Sequence, residues 1–249
     1  RELEAQLTHD YPNVAGKTVA ITNGYDPDAF PLAGGTDHSI DRPCERANQQ
    51  GELELCHFGT VYGKRTPAVL LQALAELYQE GRLAPSQIRL RFVGAWEVED
   101  LVCEQLAKDL ENAGLLKREP PVPYRACVQQ MTEADALLVI QPDSPLQIPG
   151  KIYEYIATNR PLVLIGGEGA TANLVHRHRL GVACPNDRIK IRKLVLDLLD
   201  RKVSLQAPPR DEVARFNYRR LAGEVAVVLD QVCRVSPRPS SAGANQVAG

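Results

Sequence analysis

The feature that most constrains the fold is an alternation of short apolar segments with longer segments of helical periodicity. Apolar runs that predict strands lie at 53–59, 88–94, 136–141, 161–165 and 181–185. Helical spacing of apolar residues follows at 66–81, 99–114, 124–134, 151–159, 171–179, 189–201 and 217–234. Strands that alternate with helices form a parallel sheet with right-handed crossovers. We therefore predict an α/β fold with helices on both faces of a parallel sheet.

Three stretches depart from this alternation and define the expected domain organisation. Residues 1–30 contain one further predicted strand, 17–22, and we interpret them as a connection from a preceding domain. Residues 31–52 have no periodicity and predict a loop or flexible insert. Residues 53–234 form the predicted main domain, and the Ser-, Pro- and Gly-rich residues 235–249 predict a disordered tail. The first residue is Arg1 rather than Met, so we expect the chain to be part of a longer protein.

Composition excludes several classes of function. The 249 residues include 29 basic and 31 acidic side chains, a balance that does not favour a nucleic-acid partner or an anionic membrane surface. No apolar run approaches the ~18 residues of a membrane helix. The six cysteines are scattered without metal-ligand spacing, which indicates reduced thiols in a cytosolic protein and predicts no metal site.

Polar loops follow three of the predicted strands. In parallel α/β sheets ligands bind at the carboxyl ends of the strands, which places loops 59–66, 94–98 and 141–151 on one rim. The first loop offers glycines that let backbone N–H groups approach a phosphate and cations that attract it: Gly59, Gly63, Lys64 and Arg65. Its spacing is not that of a P-loop, and a glycine turn with two solvated cations is the alternative.

Lys151 stands where a helix should begin. A helix N-terminus carries partial positive charge, so a lysine there is disfavoured unless an anion also lies nearby. Glu154 follows at i+3 and projects from the same face. This pair would suit a phosphorylated ligand that also carries hydroxyl groups, whereas the alternative is a solvated ion pair on a surface helix.

Taken in order, these segments resemble the C-terminal half of group 1 glycosyltransferases with the GT-B fold. The resemblance covers roughly residues 1–234. It depends on ITNGYDPDAF (21–30), FGTVYGKRTPAVLLQAL (58–74), LRFVG (90–94), MTEADALLVI (131–140) and above all IPGKIYEYIATNRPLVLI (148–165). The Pro-x-Lys-x-x-Glu-Tyr run in the last segment is typical of a sugar-transferring subgroup. The resemblance implies a Rossmann-like domain that binds a nucleoside-diphosphate sugar.

The same resemblance implies roles for individual residues. Lys151, with Arg65 or Lys64, would neutralise the diphosphate, and Lys151 and Arg65 are the implied catalytic residues. Glu154 would accept hydrogen bonds from the ribose hydroxyls. The remaining implied donor-binding residues are Gly59, Thr60, Gly63, Lys64, Val122, Tyr124, Ser144, Gln147, Ile148, Pro149 and Gly150. Within this set, Val122–Tyr124 would face the base, and Ser144–Ile148 would lie along the sugar and the phosphates.

The family also implies a reaction. Sugar transfer would be independent of metal and of any cofactor, with retention of configuration, because cations stabilise the departing diphosphate. The acceptor, a glycan, a lipid or a small molecule, would be held by an N-terminal domain missing here. We expect a cytoplasmic enzyme of glycan biosynthesis. The missing domain could also attach it peripherally to the inner face of the membrane.

Two departures from the family pattern stand beside this interpretation. Many relatives carry a glutamate near the donor sugar eight residues before the one equivalent to Glu154, and Leu146 occupies that position here. Many also carry an arginine where this chain has Thr60. The alternatives are a sugar-nucleotide epimerase of the same fold and a non-enzymatic Rossmann-like nucleotide-binding or interaction module.

Overall fold

The structure is a computed structural model that describes residues 2–30, 52–63, 65–142 and 144–235. Within these ranges the strands are β1 (Leu53–Phe58), β2 (Val61–Tyr62), β3 (Ile88–Val93), β4 (Trp96–Glu97), β5 (Leu116–Glu119), β6 (Ala136–Gln141), β7 (Leu162–Gly166) and β8 (Gly181–Cys184). Strands β2 and β4 pair with each other, and the other six form one sheet in which all described pairs are parallel. This confirms the predicted parallel α/β sheet.

Helices occupy crossovers between the strands, and others precede the first strand or follow the last. They are α1 (Glu2–Asp10), α2 (Ala68–Gln79), α3 (Leu101–Asn112), α4 (Tyr124–Glu133), α5 (Lys151–Ala157), α6 (Ala170–Arg177), α7 (Arg188–Leu199), α8 (Arg210–Ala214) and α9 (Tyr218–Val235). Side-chain N-caps include Asp100, which accepts from the N–H of Val102 in α3, Asp187, which accepts from that of Lys190 in α7, and Asn217, which accepts from that of Arg219 in α9. Among the described helices, none is both long and apolar enough to cross a bilayer.

The strand order of the sheet creates a crevice at its centre. The order is β5-β3-β1-β6-β7-β8, so the chain first builds outward from β1 and then returns to place β6 on the other side of β1. Crossovers on the two sides of that point lead to opposite faces of the sheet. In open α/β sheets a ligand binds at such a reversal, outside the carboxyl ends of the two strands.

The core is divided by the sheet into two apolar clusters. Alternate residues of β6 belong to each: Leu138 packs in the cluster formed with α2, α3 and α7, whereas Leu137 and Val139 pack in the cluster formed with α4, α5 and α6. Burial on both faces explains why β6 is apolar along nearly its whole length. The predicted covering of both faces by helices is confirmed.

The sequence-based elements and the structure differ at a few places. Residues 17–22 were predicted as a strand, but they have no regular secondary structure and Val19 is 62% exposed. The prediction is wrong because β propensity alone does not hold a strand that has no neighbour to pair with. The reverse holds for β5, a Leu-Lys-Arg-Glu segment that pairs with β3 and that the apolar pattern missed. Residues 31–51 of the predicted insert and 236–249 of the predicted tail lie outside the described residues.

Candidate functional site

The site is built where β1 and β6 separate. Their ladder contains only the pairs Leu55↔Ala136 and Cys56↔Leu137, although both strands continue toward the rim. Beyond these two pairs, the strands are joined by a side-chain contact instead of by backbone hydrogen bonds. His57 Nδ1 lies 2.9 Å from the carbonyl oxygen of Leu138 and bridges the two strands.

Helix α5 closes the base of this opening through Tyr155. Its hydroxyl accepts a 2.7 Å hydrogen bond from the N–H of Phe58 and donates a 3.1 Å bond to the carbonyl of the same residue. The aromatic ring is fully buried. One tyrosine thus satisfies both backbone groups at the end of β1 and ties α5 to that strand.

A cavity of about 230 Å³ lies above this floor, at the carboxyl ends of both strands. Its lining includes five residues expected from the sequence: Gly59, Thr60, Arg65, Pro149 and Lys151. It also includes residues that were not expected: His57, Tyr62, Val139, Ile140 and Gln141. The first and third rim loops therefore meet at one point, whereas the second loop, 94–98, contributes no residue to the lining of this cavity.

Lys151 projects from the first position of α5 into this cavity. Its Nζ lies 3.0 Å from the carbonyl oxygen of Phe58 and 3.3 Å from His57 Nε2. Gly59 leaves room for it, since its backbone has φ +115° and an added Cβ would lie 2.7 Å from Nζ. These contacts use two of the three ammonium donors, and the third can be offered to a ligand.

The surroundings of Lys151 disfavour the charged form of its ammonium group. Burial and, to a smaller extent, the positive charge of Arg65 lower the pKa of its ammonium group to about 8, although Glu154 opposes both effects. Two cations that face one cavity favour an anion between them, because it would offset both burial and mutual repulsion. The environment of Lys151 can therefore accommodate an anion.

His57 supports Lys151 as a neutral partner. Burial and, to a smaller extent, the charge of Lys151 lower the pKa of this imidazole to about 3, although the Leu138 hydrogen bond opposes both effects. A neutral ring that donates from Nδ1 to Leu138 presents an unprotonated Nε2 as acceptor. His57 therefore positions the ammonium group and is unsuited to proton transfer near neutral pH.

Arg65 is positioned by the third rim loop. Its Nη2 donates to Gln147 Oε1 at 2.8 Å, and its Nη1 lies 3.3 Å from the hydroxyl of Tyr62. Gln147 is itself held, since its carbonyl accepts a 2.8 Å bond from the hydroxyl of Thr171 in α6. Within the described ranges Arg65 forms no ion pair with a carboxylate, so its charge remains available to a ligand.

The third loop is fixed at a second point by a close backbone approach. Gly169 has φ +149°, and a Cβ there would lie 2.3 Å from the carbonyl oxygen of Pro145. The next residue, Ala170, donates its N–H to that same carbonyl at 2.6 Å. The loop that carries Gln147 is thus attached to the start of α6.

Glu154 lies one turn along α5 from Lys151, beside the segment predicted to face a base. The hydroxyl of Tyr124 is 3.4 Å from Glu154 Oε1, and Tyr124 is 52% exposed. Burial raises the pKa of the Glu154 carboxyl, while the Tyr124 hydrogen bond and Lys151 lower it. Glu154 and Tyr124, two residues with predicted ligand contacts, therefore occupy one place next to the cavity.

Part of the backbone at the start of α5 is already hydrogen-bonded. In its first turn, Ile152 donates to the carbonyl of Pro149 and Tyr153 to that of Gly150. Such i→i−3 bonds tighten a short helix and use donors that would otherwise face a ligand. The side chains of Lys151 and Arg65 therefore add to the partial positive charge of the backbone at this rim.

The remaining expected residues fall around the same rim. Gly63, in the first loop, has φ +54°. Val122 and Ile148 pack against the apolar cluster formed with α4, α5 and α6. The carbonyl of Ser144 accepts a hydrogen bond from the N–H of Gln147. Lys64 lies outside the described residues. The described part of the chain contains no group of three or more His, Cys, Asp or Glu side chains able to hold a metal.

Sequence reasoning missed Gln141 and assigned no role to His57. Gln141 is the single polar residue at the end of the apolar run ALLVIQ, directly before Pro142. Its side chain is 4% exposed, and neither amide atom has a hydrogen-bond partner among the described residues. A polar residue that ends an otherwise apolar buried strand was the available signal.

Comparisons with known proteins give structural matches only. No family model matches the chain, and no curated protein matches its sequence. Sucrose-phosphate synthase from Thermosynechococcus elongatus matches with a TM-score of 0.63 at 16% identity, over 94% of this chain and 57% of that one. A glycosyltransferase from Rickettsia africae matches with a TM-score of 0.60 at 14% identity, over 94% of this chain and 62% of its own.

A third match is the Anabaena protein HepE, solved in complex with UDP-glucose. Its TM-score is 0.55 at 18% identity, over 87% of this chain and 58% of that one. The chain thus spans about three fifths of the length of the solved structures it matches. At these identities the likeness concerns the fold. The chain has the fold of one half of the GT-B glycosyltransferases, as its resemblance to group 1 members implied.

Proposed function

We propose that the chain is the donor-binding half of a metal-independent, retaining glycosyltransferase, and that it binds a nucleoside-diphosphate sugar. The observation that carries the proposal is the pair of cations, Lys151 and Arg65, at the cavity where strand order reverses. Both side chains form hydrogen bonds to neutral groups, and the pKa of the Lys151 ammonium group is lowered to about 8. A bound diphosphate would offset the free-energy cost of keeping this group charged. The complex of the structurally similar HepE with UDP-glucose supports this choice of ligand.

The position of Glu154 supports a nucleoside next to the diphosphate. A carboxylate accepts hydrogen bonds from a pair of vicinal hydroxyls, which is what a ribose presents. Tyr124 lies 3.4 Å from this carboxylate and exposes half of its surface, so a base could pack against it. Base, ribose and diphosphate would then follow one another from Tyr124 past Glu154 to Lys151.

Charge determines the chemical role of the site. When the bond from the sugar C1 to the diphosphate breaks, negative charge develops on the leaving phosphate oxygen. Lys151 and Arg65, already oriented by His57 and Gln147, would stabilise that charge without reorganising. The acceptor would be held by a further domain, and a location in the cytoplasm or at the inner face of a membrane belongs to the same proposal.

The test is a binding panel on the purified chain. We expect UDP, GDP or ADP, and one of the matching sugar nucleotides, to raise the melting temperature. A ligand at 100 times its Kd adds about 2.7 kcal/mol of stability. The same sample should transfer no sugar to a panel of acceptors, because an acceptor must be held within about 3–3.5 Å of the sugar carbon.

The two halves of that experiment separate the alternatives. A folded sample that binds none of the nucleotides would favour a non-enzymatic module. Acceptor-dependent transfer by this chain alone would refute the half-enzyme interpretation. Interconversion of sugar nucleotides without an acceptor would instead favour the epimerase.

A further inference from the structure

We propose that Gln141 is a specificity residue that hydrogen-bonds hydroxyl groups of the donor sugar. This rests on the proposed function and adds a contact for the sugar itself. Gln141 ends β6 and lines the cavity that Lys151 and Arg65 also line. Successive side chains of a strand alternate between its faces, so Gln141 shares a face with Leu137 and Val139. That is the face on which α5 packs.

The hydrogen bonding of Gln141 sets it apart from the other buried polar side chains. Among the described residues, these are His57, Asp135, Thr158 and Thr171. Each of the four has a partner: His57 the Leu138 carbonyl, Asp135 the N–H of Glu54, Thr158 the Tyr155 carbonyl and Thr171 the Gln147 carbonyl. Only Gln141 among these buried residues has both side-chain atoms, Oε1 and Nε2, unsatisfied.

An unsatisfied buried amide costs stability, and a chain that keeps one at a cavity points to a ligand as the missing partner. A leucine of similar size would avoid the cost in a strand that otherwise carries Leu, Val and Ile. The position of the amide at the strand end, beside two cations, places it within reach of whatever those cations bind.

The chemistry of the amide selects among parts of the ligand. A phosphate oxygen only accepts, so it would satisfy Nε2 and leave Oε1 without a donor. A hydroxyl group both donates and accepts, and two neighbouring hydroxyls match the two ends of a primary amide. The base and ribose are proposed to lie at Tyr124 and Glu154, which leaves the hydroxyls of the sugar for Gln141.

The experiment compares Gln141→Leu with wild type by calorimetry, using UDP-glucose and UDP, with the GDP-mannose and GDP pair and the ADP-glucose and ADP pair alongside. For the pair that wild type binds, we expect the variant to lose about tenfold in affinity for the sugar nucleotide and to keep its affinity for the diphosphate. Its melting temperature without ligand should rise by about 2–4 °C. Gln141→Met serves as a second variant of similar volume, and Gln105→Leu on the exposed side of α3 is the matched control.

Each outcome has a definite meaning. Unchanged affinity for both ligands, or equal loss for both, overturns the sugar contact but leaves the proposed function standing. A lower melting temperature with an unchanged affinity ratio identifies a structural amide satisfied by water, and also overturns it. If wild type binds none of the six nucleotides, the proposed function fails and the sugar contact fails with it.

Discussion

Charged residues gather in two regions of the sheet, and the two groups are satisfied differently. Near β5, Arg118 donates to Glu111 and Glu104 and stacks 4.9 Å above the ring of Trp96. At the rim between β1 and β6, Arg65 and Lys151 bond only to neutral groups within the described ranges. The cation of the first group is paired with carboxylates, whereas the two cations of the second group form no ion pair among the described residues.

The pKa shifts follow the same division. The carboxylates beside Arg118 raise the pKa of its guanidinium group, whereas burial and Arg65 lower that of Lys151. A cation whose protonated form is favoured stabilises the fold, and one whose protonated form is disfavoured stores free energy that a ligand can recover. Partial burial of charge is therefore not in itself a sign of function, but partial burial without a counter-charge is.

The largest expected effect is that of Lys151→Met. We expect a loss of about 2–4 kcal/mol in binding a nucleoside diphosphate, with a smaller loss for the bare nucleoside, because the partner of Lys151 is the phosphate. Without ligand the variant should be more stable than wild type, since it no longer buries a charge. Calorimetry and thermal unfolding measure the two effects. Equal losses for both ligands would assign Lys151 a structural role. The regions around Lys151 and around Arg118 would then no longer differ in function.

Glu154→Ala should weaken nucleotide binding by about 1.5–3 kcal/mol, through loss of hydrogen bonds to a charged acceptor. Glu154→Gln should fall between, because it keeps an acceptor without the charge. Both are measured by calorimetry with the nucleotide that the wild type binds. Wild-type affinity in Glu154→Ala would show that the carboxylate belongs to a solvated pair.

Arg118→Met should do the opposite of Lys151→Met. It removes the guanidinium that pairs with both Glu104 and Glu111, and Glu104 keeps Lys108 at 3.6 Å, so we expect a loss of about 1–3 kcal/mol in the free energy of unfolding. Nucleotide affinity should stay unchanged. Denaturant unfolding and calorimetry make the comparison, and a fall in affinity with intact stability would contradict the structural assignment of this region.

The smallest effect is a dependence of affinity on pH. The pKa of Lys151 is about 8 in the free protein, and a bound diphosphate should raise it. For a sugar nucleotide, whose two phosphates do not titrate near neutral pH, affinity should therefore be constant below pH 8 and fall above it by up to ~tenfold per pH unit, because binding then requires a proton. The matched variant is Lys151→Arg, whose guanidinium stays charged and whose profile should be flat. A flat wild-type profile between pH 7 and 9 would refute the low pKa.

Elements with strong periodicity could be predicted from the sequence, and so could the rim on which the site lies. The run 136–141 proved to be a strand because apolar burial on both faces leaves a continuous signal, and the run 88–94 because its apolar residues alternate with Arg89 and Arg91. β5 was missed because it carries Lys117, Arg118 and Glu119, and the partners of Arg118 and Glu119 include Glu104 and Arg91, which lie on other elements. The roles of Gln141 and His57 could not be predicted for the same reason. They depend on which groups surround these side chains in the fold, and that depends on where β1 and β6 separate.

The double hydrogen bond from Tyr155 to Phe58 has a kinetic consequence. It joins the helix after β6 to the end of β1, so the two walls of the cavity are held together before any ligand arrives. Nucleotide binding to such a preformed pocket requires no preceding opening step. Nucleotide association with this half of the molecule should then follow a single exponential whose rate rises linearly with concentration, and slow phases would belong to movements between this domain and another.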